Sequence, residues 1–426
     1  MFKTQKTTFP LILNYINIIS LMAITAVLLF RFNNLTRIFY YIFFVSYVIE
    51  IFVDKKWRDF HFDKIKLYFL VMELFFFLAI FYLPFEDTNK YTHILLEKRL
   101  SLAGMAVVGF FGVNRLYKLK YFLYVFIIVS ISSIFYLVFY RIGFMDFIKT
   151  PHHSEIFTQM RILYVNHHMV FNLYLNISII SIWYLFQKNG KIFQWWKKGL
   201  FSAALLIIMF TLFISEGRTG FIAGTLLCLT MILIELYKRW KRMGLIFMFI
   251  LPVLFVGILG VYQKRLTLDK VEKDPRTFLS KTGWEVIKEH PVLGQGINGA
   301  QTAFDKKLPL YESEDFVQYA RLLNENNNVK YQDCHNQYIQ TTMEFGIPGL
   351  LILLFLYISP VFLADLKRRE FNRFIVFLYM FSSIFDMFLT RMFSPLFGIL
   401  TIMMLVVEQD EKFMKSIRLR KQEKKS

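Results

Sequence analysis

The sequence predicts an all-α, polytopic membrane protein of about twelve transmembrane helices with a small helical cap on one side. Three observations carry this. The 426-residue chain is 56% hydrophobic, more apolar surface than a soluble protein of that length can hide. Stretches such as Pro10 to Phe30, Tyr121 to Tyr140 and Gly244 to Val261 can cross a hydrocarbon core of about 30 Å as helices and are too long for the strands of a membrane barrel. Short clusters of Lys and Arg alternate with these runs, as topology signals do.

Taken in order, the apolar runs give spans near 10–30, 36–53, 67–85, 100–114, 121–141, 163–187, 199–215, 219–237, 244–262, 345–364, 374–390 and 392–408. The first is read as a span rather than a signal peptide, because no small-residue cleavage site follows it and more spans come after. The fourth is short and holds three glycines, Gly104, Gly109 and Gly112. The organisation expected is therefore a bundle of nine helices over 1–262, a large loop or cap over 263–344, three further helices over 345–408 and a basic tail over 409–426.

The basic residues test this order. The gap after the second span holds Lys55, Lys56, Arg58, Lys64 and Lys66, and every second gap after it is likewise basic, down to Lys367, Arg368, Arg369 and Arg373. The tail ends in "RLRKQEKKS". The positive-inside rule then assigns these gaps and both termini to the cytoplasm. The formal charge of +19 is accounted for this way, and nucleic acid is not an expected partner. Cys228 falls inside a span and Cys334 in the large loop, so no disulfide joins them.

The same assignment places four segments on the non-cytoplasmic side: "EDTNKYTHILLEKR", "RIGFMDFIKTPHHSEIFTQMR", "SEGRTG" and the large loop. In that loop "RTFLSKTGWEVIKEH" has Leu279, Val286 and Ile287 at helical spacing, and Pro291 stops the helix. In "DCHNQYIQTTMEFGIPGL" His335 stands just ahead of the tenth span, with Asp333 or Asn336 as the cap of that helix.

Candidate chemistry collects in these segments. An imidazole titrates near neutrality and can take a proton from a hydroxyl, which makes His335 a candidate general base. Arg218 sits at the outer end of a hairpin and needs an anion, water or Glu216 as partner; Gly217 and Gly220 allow a backbone or ligand to approach. Arg276 stands at the start of the loop helix, and Arg161 just before His167 and His168, which start the sixth span. Guanidinium forks match phosphate oxygens and stay charged. Three arginines and a histidine on one face describe a site for a phosphorylated substrate. The sequence shows no metal-ligand spacing and no nucleotide-binding loop, so neither metal nor nucleotide is expected. Within the bundle, Asp386 and Arg391 can pair near the outer end of the eleventh span, and Glu73 lies in the third.

"HNQYIQTTMEFGIPGLL" resembles the signature of the O-antigen ligase and O-antigen polymerase superfamily, with His335, Asn336, Glu344, Gly346 and Gly349 in its positions. "RTFLSKTGWEVIKEHPVLGQGING" is similar to the segment upstream in that family, through Arg276, Pro291, Gly294 and Gly296. "SEGRTG" looks like its Ser-x-x-Arg-x-Gly turn, through Ser215 and Arg218, and Arg161 takes the place of a less regular arginine. The match covers about residues 205 to 350.

The resemblance implies a membrane glycosyltransferase of the C class in a bacterial inner membrane. Its donor would be a glycan on undecaprenyl diphosphate, used at the periplasmic face. In ligases the acceptor is a sugar hydroxyl of lipid A core; in polymerases it is another lipid-linked repeat. One dominant loop is more like a ligase. The roles implied are His335 as base, Arg218, Arg276 and Arg161 on the diphosphate, and Asn336, Ser215 and Glu344 in support. A flippase for the same lipid is the rival class, but transporters show internal repeats and midplane sites, and this sequence shows neither.

Overall fold

A computed structural model describes residues 8–30, 33–58, 61–85, 90–114, 116–149, 165, 168–189, 193–215, 218–241, 275–307, 334–364, 368–389 and 394–407. Every regular element among them is helical. They are α1 (Thr8–Val27), α2 (Asn33–Val53), α3 (Lys64–Tyr82), α4 (Lys90–Phe111), α5 (Leu119–Phe135), α6 (Phe144–Lys149), α7 (His168–Asn189), α8 (Trp195–Ile214), α9 (Arg218–Arg239), α10 (Pro275–Glu289), α11 (Gly296–Lys307), α12 (Gln337–Leu363), α13 (Arg369–Ser382) and α14 (Ser394–Val407). A π-helical turn, Tyr136–Ile142, extends α5.

Among the described residues eight helices are long and apolar enough to cross a membrane: α1, α2, α3, α5 with its π turn, α7, α8, α9 and α12. Apolar residues such as Tyr41, Phe52, Phe81, Leu206 and Phe213 are exposed along them, which is what lipid requires. The predicted ninth span, 244–262, lies outside the described residues. The predicted fourth and eleventh spans fall on α4 and α13, which are not among those eight, and the twelfth on the shorter apolar helix α14. Helix α4 starts at Lys90 rather than near 100, because its charged first turns are helical too; α13 ends at Ser382, with turns through Phe385. The tenth begins at Gln337, so the polar stretch after His335 is already helix.

Helix α7 is the centre of the bundle; 89% of its apolar window is buried. Lipid tails leave no hydrophobic drive between helices, so small and polar residues hold them together. Ser178 bonds the Ser130 hydroxyl of α5 at 2.8 Å, and Asn176 donates to the Gly220 carbonyl of α9 at 3.0 Å. A Cβ on Gly220 would stand 2.5 Å from Nδ2 of Asn172. The backbone that the glycine admits is therefore that of its own helix, set against α7.

Helix directions follow from paired residues. Gly220 meets Asn172, Gly224 meets Asn176, and Gln187 donates to Glu235, so α9 runs parallel to α7. Trp183 stacks edge-on with Phe374 and Tyr184 packs on Phe371, so α13 runs antiparallel to α7. The Gln337 amide donates to the Ser383 carbonyl, placing the start of α12 at the end of α13. The starts of α7, α9 and α12 thus share one end of the bundle.

Helices α10 and α11 form a second small core there. Leu279, Val286, Ile287, Ala300 and Phe304 cluster with Cys334, Met343 and Met387. The three residues spaced for a helix in the sequence are all buried, and the helix ends before Pro291. Its neighbour is the first half of α12: Gly283 lies against Ile339, 3.4 Å from Sδ of Met343 and 3.7 Å from Cβ of Cys334 measured from an added Cβ.

Two glycines explain how the turn after α10 seats itself. Helix α12 breaks at Gly346 (φ 63°, ψ −158°), a conformation that only glycine adopts readily. The break frees amides and carbonyls, which the turn takes up: Gln295 N–H donates to the Met343 carbonyl at 2.9 Å and Ile347 N–H to the Pro291 carbonyl at 3.1 Å. Gly294 (φ 74°) faces it, and a Cβ there would stand 2.6 Å from the amide nitrogen of Gly346. Gly346→Ala is expected to cost at least about 1–3 kcal/mol in backbone strain alone, before the added methyl meets the Val292 carbonyl. Thermal unfolding of detergent-purified protein reads this loss; an unchanged midpoint would reject the account.

The α10–α11 layer also carries a pH dependence. Burial, outweighing a hydrogen bond from Gln301, raises the Asp305 carboxyl to about 6. The folded layer therefore holds this proton more tightly than the unfolded chain, whose carboxyl titrates near ~3.9. The resulting stabilisation is complete below that lower value and is lost as pH rises through about 6. Asp305→Asn keeps an acceptor for Gln301 and should flatten the melting temperature between pH 4 and 7.

Candidate functional site

The end of the bundle where α7, α9 and α12 begin carries the candidate residues. His335 precedes the cap of α12 in left-handed backbone conformation, φ 49°. Non-glycine residues other than Asn, Asp and His rarely adopt it. The turn is fixed on its far side, where Asn336 accepts from the amides of Tyr338 and Ile339 at 3.0 and 3.1 Å. Of the two caps the sequence offered, Asn336 does this; Asp333 lies outside the described residues. Gln337 then locks the position. Its amide reaches the end of α13, its Oε1 accepts from the Leu389 amide at 2.9 Å, and its Nε2 donates to Thr341.

These bonds bring the chain after α13 to the imidazole. Nδ1 of His335 faces Oδ1 of Asp386 at 3.8 Å; the histidine side chain is 29% exposed and the carboxylate 3%. Oδ1 of Asp386 also accepts from the Met387 amide at 2.8 Å. The sequence offered Arg391 as partner of this aspartate; Arg391 lies outside the described residues. A buried carboxylate facing an imidazole favours one orientation of the ring. A partly exposed ring so held is equipped for proton transfer.

Two of the predicted arginines open helices at this end. Arg218 is the first residue of α9, which packs against both α7 and α13. Arg276 is the second residue of α10, about 10 Å of helical rise before Gly283, the residue set against Cys334. Arg161 and His167 lie outside the described residues, and His168 is the buried first residue of α7. Ser215 ends α8: its amide donates to the Thr211 carbonyl and its hydroxyl to that of Leu212 at 3.3 Å.

Glu344 lies deeper and is fully buried, paired with an arginine that hydropathy alone assigns to a loop. Nη2 of Arg99, on α4, meets its Oε2 at 2.5 Å, and both side chains are 1% exposed. Gln340 donates to Oε1 at 2.8 Å, and the Cys334 thiol donates to Gln340 at 3.3 Å. A chain of polar contacts thus runs from α4 up to the neighbour of His335. The guanidinium also lies over the Phe345 ring, 5.3 Å from its centre. The signal available in the sequence was an arginine at the edge of an apolar run, which in a bilayer demands a partner.

Comparison with known proteins bears on this region. A family model described as O-antigen ligase matches residues 203–354, from within α8 to the middle of α12, including the starts of α9 and α10 and the whole of the His335 turn. No curated protein matches the chain.

Proposed function

We propose, for a chain that belongs to the O-antigen ligase superfamily, that it moves a glycan from undecaprenyl diphosphate to a sugar hydroxyl of lipid A core at the periplasmic face of a bacterial inner membrane. The single observation that carries this reading is the His335–Asp386 pair at the end of the bundle where α9 and α10, bearing Arg218 and Arg276, also begin.

In this mechanism the diphosphate binds Arg218 and Arg276, with Arg161 as a further contact. The acceptor oxygen attacks the anomeric carbon from the side opposite the diphosphate, so configuration inverts. Its proton passes to Nε2 of His335, since Nδ1 is turned to Asp386. The bond from the anomeric carbon to the diphosphate oxygen breaks, and the diphosphate leaves with the electron pair. The arginines stabilise that growing charge, so the reaction needs no metal and should run fully in chelator. Ser215 and Asn336 hold the turns that carry Arg218 and His335.

Reconstitution with lipid-linked glycan and lipid A core tests the reading. Glycan joined to core is the expected product. Longer lipid-linked chains would make the protein a polymerase, and movement of the lipid alone a flippase. Arg218→Lys should leave transfer well below wild type, because a point charge does not replace a bidentate fork; full activity in that variant would remove Arg218 from the diphosphate.

A further inference from the structure

Beside the His335 turn an open groove of about 440 Å³ runs between α10 and α12, lined by Thr277, Ser280, Lys281, Trp284, Glu285 and Ile339. The first five share one face of α10, at helical spacing. Ile339 lies in the first turn of α12, four residues after His335. We propose that this groove holds a sugar ring of a glycan substrate, with the Trp284 indole as its stacking platform. The proposal rests on the transferase reading above and assigns it a specificity-determining residue.

Three features select a sugar over a hydrocarbon tail. Trp284 is 56% exposed and with Ile339 gives the groove an apolar wall, while Thr277, Ser280, Lys281 and Glu285 set hydroxyls, an ammonium and a carboxylate along the same face. A polyprenyl chain would desolvate these without compensation, whereas a sugar offers hydroxyls to them and a C–H face to the indole. Second, the indole is away from the bilayer surface. The exposed Val292 and Leu293 follow α10, and the Leu293 carbonyl accepts from Tyr82 at the end of the spanning helix α3. That turn marks the lipid level. Trp284 lies five residues before the last residue of α10, about 7–8 Å further out. Third, the groove is built on a fixed frame. Lys281 sits over the Phe278 ring at 5.8 Å and Glu285 pairs with Lys288 at 2.7 Å, while Gly283, packed against the same Ile339 that lines the groove, locks the helix to α12.

A sugar bound there lies beside the turn that carries the imidazole, and it can come from the donor glycan or from the core acceptor. Binding to full-length protein in nanodiscs separates these sources. The probes are lipid-linked glycan, deacylated core oligosaccharide from the producing cells, and bare undecaprenyl diphosphate. Trp284→Ala should weaken one sugar probe at least about fivefold, and Trp284→Phe should recover most of the loss. Bare undecaprenyl diphosphate should bind as to wild type. The probe that weakens names the source. Unchanged affinity for both sugar probes, or an equal loss for the bare lipid, overturns the proposal. A wild-type protein that transfers no glycan would instead overturn the function on which it rests, so the two failures are distinct.

Discussion

Replacing His335 with asparagine is expected to lower glycan transfer by about 10²–10⁴-fold, the usual contribution of a positioned general base, while the protein still inserts and folds. Asparagine is the informative substitution because of the backbone. At φ 49° an alanine would add strain of about 1–2 kcal/mol and mix a folding defect with the chemical one. Asparagine tolerates the left-handed region and can bond Asp386, yet it cannot take a proton at neutral pH. Transfer measured on reconstituted protein, with thermal unfolding alongside, separates the effects. Wild-type transfer by His335→Asn would end the role of the imidazole. Asp386→Asn should act in the same direction and less severely, because it removes the orienting charge and leaves the base.

The second large effect is on stability. Arg99→Met should cost about 3–5 kcal/mol, the loss typical of removing one member of a buried ion pair, because Glu344 is left buried with its charge uncompensated. Combining it with Glu344→Gln should recover most of that loss. The amide keeps an acceptor for Gln340 and carries no charge. Thermal unfolding of the two variants in the same detergent checks this. A double variant no more stable than Arg99→Met alone would show that the pair is not the reason Arg99 matters. The same ion pair fixes α4 to the upper half of α12, so Arg99→Met should also reduce transfer without any contact with substrate.

Much of the architecture was legible because it is local. The helix over Leu279, Val286 and Ile287, stopped by Pro291, could be read from spacing alone, since a 3.6-residue period depends only on neighbours in the chain. The cap at Asn336 could be narrowed to two residues for the same reason. The beginning of α4 was not legible. Lys90, Glu97, Lys98 and Arg99 look like a loop to any measure of hydropathy, and only a carboxylate 245 residues away makes Arg99 tolerable inside the bundle. Asp386 shows the same limit: the sequence sets it near Arg391, which lies outside the described residues, and only the fold brings it within 3.8 Å of His335. Gly294 and Gly346 stood out in the family resemblance, but their reason is a contact between two backbones that no spacing encodes.

By itself the sequence determined that the chain is helical and membrane-spanning, and which residue types stand at the ends of its helices. Hydropathy and period are properties of contiguous residues, and a bilayer leaves few other ways to satisfy the backbone. The tertiary structure alone decided which polar groups meet. A buried charge must find its counterpart wherever packing places one, and that choice is made across the bundle between residues the chain holds far apart.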